Sequence, residues 1–309
     1  MNAHIAADYD SPRKEALDRY FKAFLALLFP EVHRQIDWSR GCESLDKEFQ
    51  QVVRDADIGR RYVDKLVKVW TTDGGECWVL VHVEVQTARE PEFPRRVYVY
   101  NYRIFDRYNR PVASLALLAD DDPDWRPSAF HQNLFGCEVG IRFPAVKLLD
   151  FAPHEAMLEA STNPFAPVVL AHLKALETRG DAAGRHAWKV RLVRGLYERG
   201  FSAPDVRELF RVIDWLMELP TAVQDLFWQD VAQIQEERRM PFITTPERVG
   251  HRKGLREGIE ALLRVRFGDD GLRLMPEVQG IHEEEKLRAI LKALETAANL
   301  DDVRRLWSP

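Results

Sequence analysis

The sequence predicts an α/β protein in which a mixed β-sheet flanked by helices is followed by an all-α C-terminal half. Two segments rich in Val, Leu and Trp, 62–70 and 78–86, alternate with the period of two that is typical of strands. A strand–helix–strand pattern follows, with the helix from about 94 to 107 and the strand from 112 to 119. From about Ala152 onward, apolar residues recur at helical spacing.

Length and composition narrow the class of protein. A chain of 309 residues is long enough for about two domains. Hydrophobic residues at 46% and charged residues at 30% are typical of globular domains in water. The sequence contains no apolar run of about 18 residues, and its N-terminal segment lacks the apolar core of a signal peptide. We therefore expect a cytoplasmic protein with no membrane partner.

Cysteine usage and net charge bear on the kind of function. Cys42, Cys77 and Cys137 are widely spaced, which favours neither a disulfide framework nor a zinc site and fits a reducing compartment. The net charge is −5 at pH 7, whereas a small DNA-binding domain is often basic overall. An enzyme that cuts DNA needs only a local basic surface, so the net charge does not exclude that class.

The two alternating segments are expected to pair as an antiparallel hairpin. Asp73-Gly74-Gly75 lies between them, and glycine supplies the positive φ of a tight turn without steric cost. A hairpin that folds about Gly74 has Asp64 directly opposite Glu84, on the same face of the sheet. A bulge at the turn would shift that register.

The expected pairing of Asp64 with Glu84 points to a metal ion. Opposed residues in a sheet have Cβ atoms roughly 4.5–5.5 Å apart. Two carboxylates about 5 Å apart repel by roughly 3 kcal/mol at an effective dielectric constant of about 20. A divalent cation between them removes the repulsion, and hard oxygen ligands suit Mg²⁺. The sequence therefore predicts a Mg²⁺ site on this hairpin.

The order Asp, turn, then Glu84-x-Gln86 on a Val-rich strand resembles the PD-(D/E)XK (restriction-endonuclease-like) nuclease superfamily. The segment DRYFKAFLALLFP, from Asp18 to Pro30, is similar to the opening of the Rpn family of recombination-promoting nucleases, often labelled putative transposases. The Glu-x-Gln form of the motif is also typical of that family. The similarity covers roughly the first half of the chain.

The resemblance implies a set of site residues and a reaction. Asp64 and Glu84 would bind Mg²⁺, and the carbonyl of Val85 would add a ligand. Gln86 stands where the superfamily usually has Lys, and it would orient the attacking water. Asp18 on the first helix is a further candidate for the site, although it could equally be a solvated helix carboxylate. The implied reaction is hydrolysis of DNA phosphodiester bonds in recombination or mobile-element biology.

Arginines near the hairpin are candidates for binding DNA phosphates. Arg61 comes just before the first strand, and it could instead be a strand-edge charge that discourages aggregation. Arg96, Arg103 and Arg107 fall within about 40° of one another on a helix of 3.6 residues per turn. They could hold phosphates or form a solvated face. The alternative function is a nuclease-like fold that binds DNA or a protein partner without cutting.

The sequence divides into three expected regions. Residues 1–151 form the nuclease-like core, 152–239 a helical extension packed on that core, and 247–309 a small helical domain. The linker before the last region is flanked by Pro241 and Pro246. The last region resembles a helical domain that is commonly appended to Rpn-like proteins. A homo-oligomer is compatible with this organisation.

An acidic turn, Asp120–Asp124, follows the strand that ends near residue 119. The turn lacks the ligand spacing of a calcium-binding loop. We therefore expect it to be a solvated loop.

Overall fold

A computed structural model of the chain describes residues 12–45, 49, 63–84, 91–238, 246–279 and 284–296. The chain divides into two compact units, Met1–Arg238 and Arg239–Pro309. The first unit is mixed α/β with a five-stranded sheet, and the second is helical where it is described. Within the described segments, every helix is too short or too polar to cross a membrane.

The first unit runs from helices to a sheet and then to a set of helices, as the sequence predicts. Its described elements are α1 Pro12–Arg19, α2 Phe21–Leu28, α3 Pro30–Gln35, a 3₁₀ helix Trp38–Arg40, β1 Glu43–Ser44, β2 Val63–Trp70, β3 Glu76–Glu84, α4 Phe93–Tyr108, β4 Val112–Leu118, β5 Ala129–Leu134, β6 Cys137–Arg142, β7 Ala145–Lys147, a 3₁₀ helix Leu148–His154, α5 Glu155–Ala160, α6 Ala166–Glu177, α7 Ala182–Glu198, α8 Ala203–Leu216 and α9 Thr221–Arg238.

The main sheet has the strand order β1-β2-β3-β4-β7. Strand β2 is antiparallel to both β1 and β3, whereas β4 is parallel to β3 and β7 is parallel to β4. Helix α4 makes the crossover from β3 to β4, which confirms the predicted strand–helix–strand unit. Because β3, β4 and β7 run in one direction, their carboxyl ends meet at one edge of the sheet.

The β2–β3 hairpin forms as predicted, but its loop is centred on Asp73 rather than on Gly74. Thr71 donates its N–H to the Gly75 carbonyl at 2.8 Å, and Gly74 donates its N–H to the Thr71 carbonyl at 2.9 Å. Gly74 has φ +91°, a left-handed conformation that glycine adopts without steric cost. Moving the centre by one residue shifts the strand pairing by two residues, so side chains keep the same face.

Helix α4 covers one face of β2 and β3. The buried residues of this layer are Leu45, Phe49, Leu66, Trp78, Leu80, Tyr100 and Ile104. Asn101 fastens the helix to β4, since its Nδ2 donates to the Val112 carbonyl at 3.0 Å and to Ser114 Oγ at 3.1 Å. Leu66 of β2 and Trp78 and Leu80 of β3 therefore face α4.

The helical spacing of apolar residues in 11–29 predicts a single helix, but the structure has two helices there, α1 and α2. Tyr20 interrupts it with φ −112° and ψ 26°. The residues at helical spacing predict a buried apolar stripe, and the structure confirms it, because all of its members are buried: Leu17, Tyr20, Phe21, Phe24 and Leu28. Helix α1 contacts β2.

The second unit has its own apolar core. Its described helices are α10 Pro246–Leu272, α11 Met275–Gln279 and α12 Glu284–Thr296. The sequence predicts a helix stop at Phe267-Gly268, and α10 is interrupted at Gly268, where φ is 58° and ψ is −141°. The buried residues are Ile259, Leu263, Leu274, Val278, Leu287, Ile290 and Leu294.

We expect limited proteolysis to cut the native protein first between residues 239 and 246. The segment 239–245 lies outside the described residues, and the expectation rests on its flanking prolines and on the separate cores of the two units. Mass spectrometry of the first fragments would identify the cut. Early cleavage inside either unit, with 239–246 protected, would contradict this boundary.

Candidate functional site

Asp64 lies in β2, and Glu84 is the last residue of β3. Asp64 pairs with His82, so the predicted direct pairing of Asp64 with Glu84 is wrong. Glu84 is two residues beyond His82, and residues two apart in a strand share a face. Positions 64 and 84 are therefore diagonal neighbours on one face, at the spacing of about 7–8 Å that such positions have in an antiparallel pair.

The carboxyl edge of the parallel strands adds a third position. Glu84 pairs with Leu118 of β4, and Leu118 pairs with Lys147 of β7. Strands lie about 4.8 Å apart, so the main chains at Glu84 and Lys147 are roughly 10 Å apart across the sheet. Open α/β sheets commonly bind ligands beyond the carboxyl ends of their strands. The candidate site lies at this edge.

A buried ion pair lies at the same edge. The side chains of Lys147 and Asp120 are 1% and 2% exposed, and Lys147 Nζ is 2.5 Å from Asp120 Oδ1. Lys147 also donates to the Trp125 carbonyl at 3.2 Å, and Asp120 Oδ1 accepts the N–H of Asp122 at 3.0 Å. The expectation of a solvated acidic turn is therefore wrong for Asp120. A run of acidic residues carries no local signal of which member is buried.

Asp18 makes its contact on the other face of β2. Its Oδ1 is 2.7 Å from Nζ of Lys65, whose side chain is 3% exposed. Lys65 also donates to Ser44 Oγ at 2.6 Å. Because Lys65 directly follows Asp64 in the strand, the two residues belong to opposite faces. The structure thus does not bring Asp18 to the face of positions 64 and 84, and Asp18 neutralises a buried lysine.

The two residues after Asp18 also have a structural contact. Arg19 Nη2 and Tyr20 Oη donate to Asp205 Oδ1 at 3.1 and 3.0 Å. Ser202, the N-cap of α8, donates from Oγ to Asp205 Oδ2 at 2.5 Å. The motif that resembles the Rpn opening therefore holds α8 against the N-terminal helices. Sequence reasoning missed Asp205 because it lies 185 positions from Tyr20.

We expect Asp205→Asn to destabilise the protein by about 1.5–3 kcal/mol at neutral pH, the range for hydrogen bonds to a charged group. Burial by itself raises the pKa of Asp205, but hydrogen bonds from Ser202, Arg19 and Tyr20 together hold that pKa below its usual value. A carboxyl group with a lowered folded pKa stabilises the fold above its unfolded pKa of about 3.9, and this stabilisation disappears as the pH falls through the folded value.

Urea unfolding of wild type and Asp205→Asn at several pH values tests this expectation. The difference in unfolding free energy should be full at about pH 7 and should narrow below about pH 4. A difference that stays constant down to about pH 3 would show that the charge of Asp205 does not stabilise the fold.

The candidate DNA-binding arginines of α4 do not share one surface. Arg96 is 2% exposed, with Cζ 5.1 Å from the ring centroid of Phe93. Arg103 is partly exposed and Arg107 is exposed. The three arginines are close in angle around the helix axis, but Arg96 is buried whereas Arg107 is exposed. Arg61 lies outside the described residues.

Comparison with known proteins identifies no relative whose residues could be compared with this site. No family model, curated protein or solved structure matches the chain. Among the described residues, no group of three or more His, Cys, Asp or Glu side chains could hold a metal ion. Val85 and Gln86, and the side chains at positions 64 and 84, lie outside that description. The Mg²⁺ site stays a prediction.

Proposed function

We propose that this protein is a Mg²⁺-dependent DNA endonuclease of the Rpn type, with a PD-(D/E)XK core, acting in recombination or mobile-element biology. The observation that carries the proposal is the diagonal relation of Asp64 and Glu84 on one face of the β2–β3 hairpin. Support also comes from the topology, since the resemblance implies a hairpin, a crossover helix and a further strand, and β4 follows α4 in parallel with β3.

The proposed donor set fits Mg²⁺ chemically. Two carboxylates and the Val85 carbonyl are hard oxygen donors, which is the type of ligand that Mg²⁺ prefers. When bound, Mg²⁺ would acidify a water molecule and neutralise charge on the phosphate. Gln86 would orient that water, because its amide can both donate and accept a hydrogen bond. Unlike a lysine, Gln86 would bring no positive charge to the phosphate.

A plasmid-nicking assay tests the proposal. Purified protein should convert supercoiled plasmid to nicked circles in Mg²⁺, and the plasmid should stay supercoiled when EDTA replaces Mg²⁺. Nicking that is equally fast in EDTA would exclude the proposed metal mechanism. A complete lack of nicking over a range of DNA substrates would favour the alternative function.

That alternative is a catalytically inactive nuclease fold that binds DNA or a protein partner. Two observations favour it: Gln86 replaces the usual lysine, and the net charge is −5. Calorimetry with Mg²⁺ or Mn²⁺ separates the two functions, because a binder without a metal site shows no heat of metal binding. An endonuclease of the proposed type shows saturable binding.

A further inference from the structure

The carboxylate of Asp120 has one buried oxygen that no donor reaches. Its side chain is 2% exposed, and Lys147 Nζ and the N–H of Asp122 both donate to Oδ1, at 2.5 and 3.0 Å. Oδ2 is also buried, and it has no hydrogen-bond partner among the described residues. Leaving a buried carboxylate oxygen without a donor is costly, and such an atom in a native protein commonly marks a bound water, an ion or a functional role.

The ion pair with Lys147 does not by itself explain why Asp120 is buried. Desolvation costs both charges, and apolar side chains of similar volume are often at least as stabilising as a buried ion pair. Lys147 balances the charge of the carboxylate and holds Oδ1 in place. Oδ2 is then a fixed, charged acceptor, and hydrogen bonds to such acceptors are among the strongest in proteins. It suits a polarised donor, such as a water molecule bound to a cation.

The ion pair lies on the face of the sheet that α4 covers. Lys147 pairs with Leu118 of β4, and Leu118 packs with Phe93 in one apolar cluster. Trp125, whose carbonyl also accepts from Lys147, has its ring centroid 5.6 Å from that of Phe93. Because Phe93 is the first residue of α4, these contacts place Asp120 and Lys147 on the α4 side of the sheet.

Positions 64 and 84 belong to the same face. Leu66 of β2 and Leu80 of β3 pack against α4 in one buried layer. Asp64 is two residues from Leu66 and Glu84 is four residues from Leu80, and residues an even number apart in a strand share a face. The carboxylate-bearing positions of β2, β3 and the end of β4 therefore lie on one side of the sheet.

The spacing of these positions limits the role that Asp120 can have. Glu84 pairs with Leu118 of the adjacent strand, and Asp120 follows Leu118 by two residues. With about 4.8 Å between strands and about 3.3 Å per residue, the main chains at Glu84 and Asp120 are about 8 Å apart, whereas those at Asp64 and Asp120 are about 16 Å apart. An ion with Mg–O distances of about 2.1 Å cannot join carboxylates separated by the longer distance. The shorter distance leaves room for an ion and one of its water molecules.

We propose that Asp120 is a positioning residue of the metal site, whose Oδ2 accepts a hydrogen bond from a water molecule of the Mg²⁺ ion bound at Glu84. The proposal rests on the proposed function in taking Mg²⁺ as the ion, and it adds Asp120 and Lys147 to the site. Mg²⁺ keeps several water molecules when one or two carboxylates bind it. Lys147 would fix the orientation of the carboxylate by holding Oδ1.

Calorimetric titration of the full-length protein with Mg²⁺, without DNA, tests the proposal. The double variant Asp120→Leu with Lys147→Met removes the acceptor, and its affinity for Mg²⁺ should fall about 10–100-fold, the usual effect of losing a group that holds a metal ligand. The variant loses one charge of each sign, so its net charge is that of wild type. Apolar replacement of a buried ion pair commonly preserves stability, so its melting temperature should stay close to that of wild type.

Asp120→Asn is the second test variant. Lys147 can only donate, so it binds the carbonyl oxygen of the amide, and the NH₂ group then takes the place of Oδ2, where it cannot accept. Affinity for Mg²⁺ should fall by a similar factor. Asp150→Asn is the matched control, because Asp150 is a 51% exposed carboxylate whose partner is Arg126, and this variant should keep wild-type affinity.

Wild-type affinity for Mg²⁺ in the folded double variant would overturn the proposal. An equal loss of affinity in Asp150→Asn would also overturn it, because the loss in Asp120→Asn would then be an effect of net charge. If the double variant does not melt cooperatively, Asp120→Asn is judged by the same criteria. A wild-type protein without saturable Mg²⁺ binding refutes the endonuclease and this role of Asp120 together, whereas saturable binding that the variants leave unchanged refutes only the role of Asp120.

Discussion

Glu84→Gln should reduce plasmid cleavage in Mg²⁺ at least about 100-fold while leaving DNA affinity unchanged or higher. Glu84 is a proposed metal ligand, so loss of its charge weakens the metal site, and no bound water is then acidified. DNA affinity comes mainly from cations that meet phosphates, and removing one negative charge does not weaken that attraction. Cleavage is measured by gel in Mg²⁺, and affinity by anisotropy in EDTA.

The same strand offers a matched control. Glu76 begins β3 and pairs with Arg110 at 3.1 Å, so Glu76→Gln makes the same chemical change at the far end of the strand and should keep full activity. Gln86→Lys restores the residue usual in the superfamily, and its activity should persist or rise. Because Glu84→Gln is nearly isosteric, its melting temperature should match wild type. Wild-type cleavage by Glu84→Gln would place the nuclease site elsewhere or identify a contaminant.

Lys147→Met should destabilise the first unit by about 3–5 kcal/mol, the typical cost of breaking a buried ion pair by removing one partner. The side chain of Asp120 is 2% exposed, and its Oδ2 has no hydrogen-bond partner among the described residues. Without Lys147, the carboxylate keeps the N–H of Asp122 and loses its ion-pair partner, the only one it has among the described residues. Urea unfolding followed by circular dichroism at neutral pH measures the loss.

Two further variants distinguish the effect of burying a charge from the effect of losing an ion pair. Asp120→Asn combined with Lys147→Met removes both charges and should recover much of the loss, because no uncompensated charge stays buried. Arg126 and Asp150 form a two-contact pair at 2.8 and 2.6 Å in the same region, but their side chains are 49% and 51% exposed. Arg126→Gln should therefore cost only about 0–1 kcal/mol. Equal losses in Arg126→Gln and Lys147→Met would refute the role of burial.

The placement of Asp64 and Glu84 was predictable to the level of strand and face, but not of register. Alternation of Val with polar residues assigns Asp64 and Glu84 to strands without any tertiary information. The prediction that Asp64 pairs directly with Glu84 was wrong because the hairpin loop is centred on Asp73, one position before the expected Gly74. The alternation of residues along a strand does not depend on where the loop is centred. The predicted shared face of Asp64 and Glu84 was therefore right, whereas the predicted partner of Asp64 was wrong.

Local sequence by itself determined the alternating strands β2 and β3, the crossover helix α4 and the helices from α5 onward. Each of these elements depends on spacing within about 10–20 neighbouring residues, which is the range over which strand and helix periods act. The Tyr20 break shows the limit of this reasoning, because a continuous apolar stripe does not distinguish one helix from two.

Only the tertiary structure decided which charged side chains are buried and which residues they pair with. Asp18 meets Lys65, Tyr20 meets Asp205 and Asp120 meets Lys147, and each pair joins segments far apart in the chain. The free energy of such a contact depends on desolvation and on the geometry of both partners, which exist only after the sheet and helices have packed. For this physical reason, Asp18 could be read from sequence as a metal ligand or a solvated carboxylate, whereas the fold makes it the counter-ion of a buried lysine.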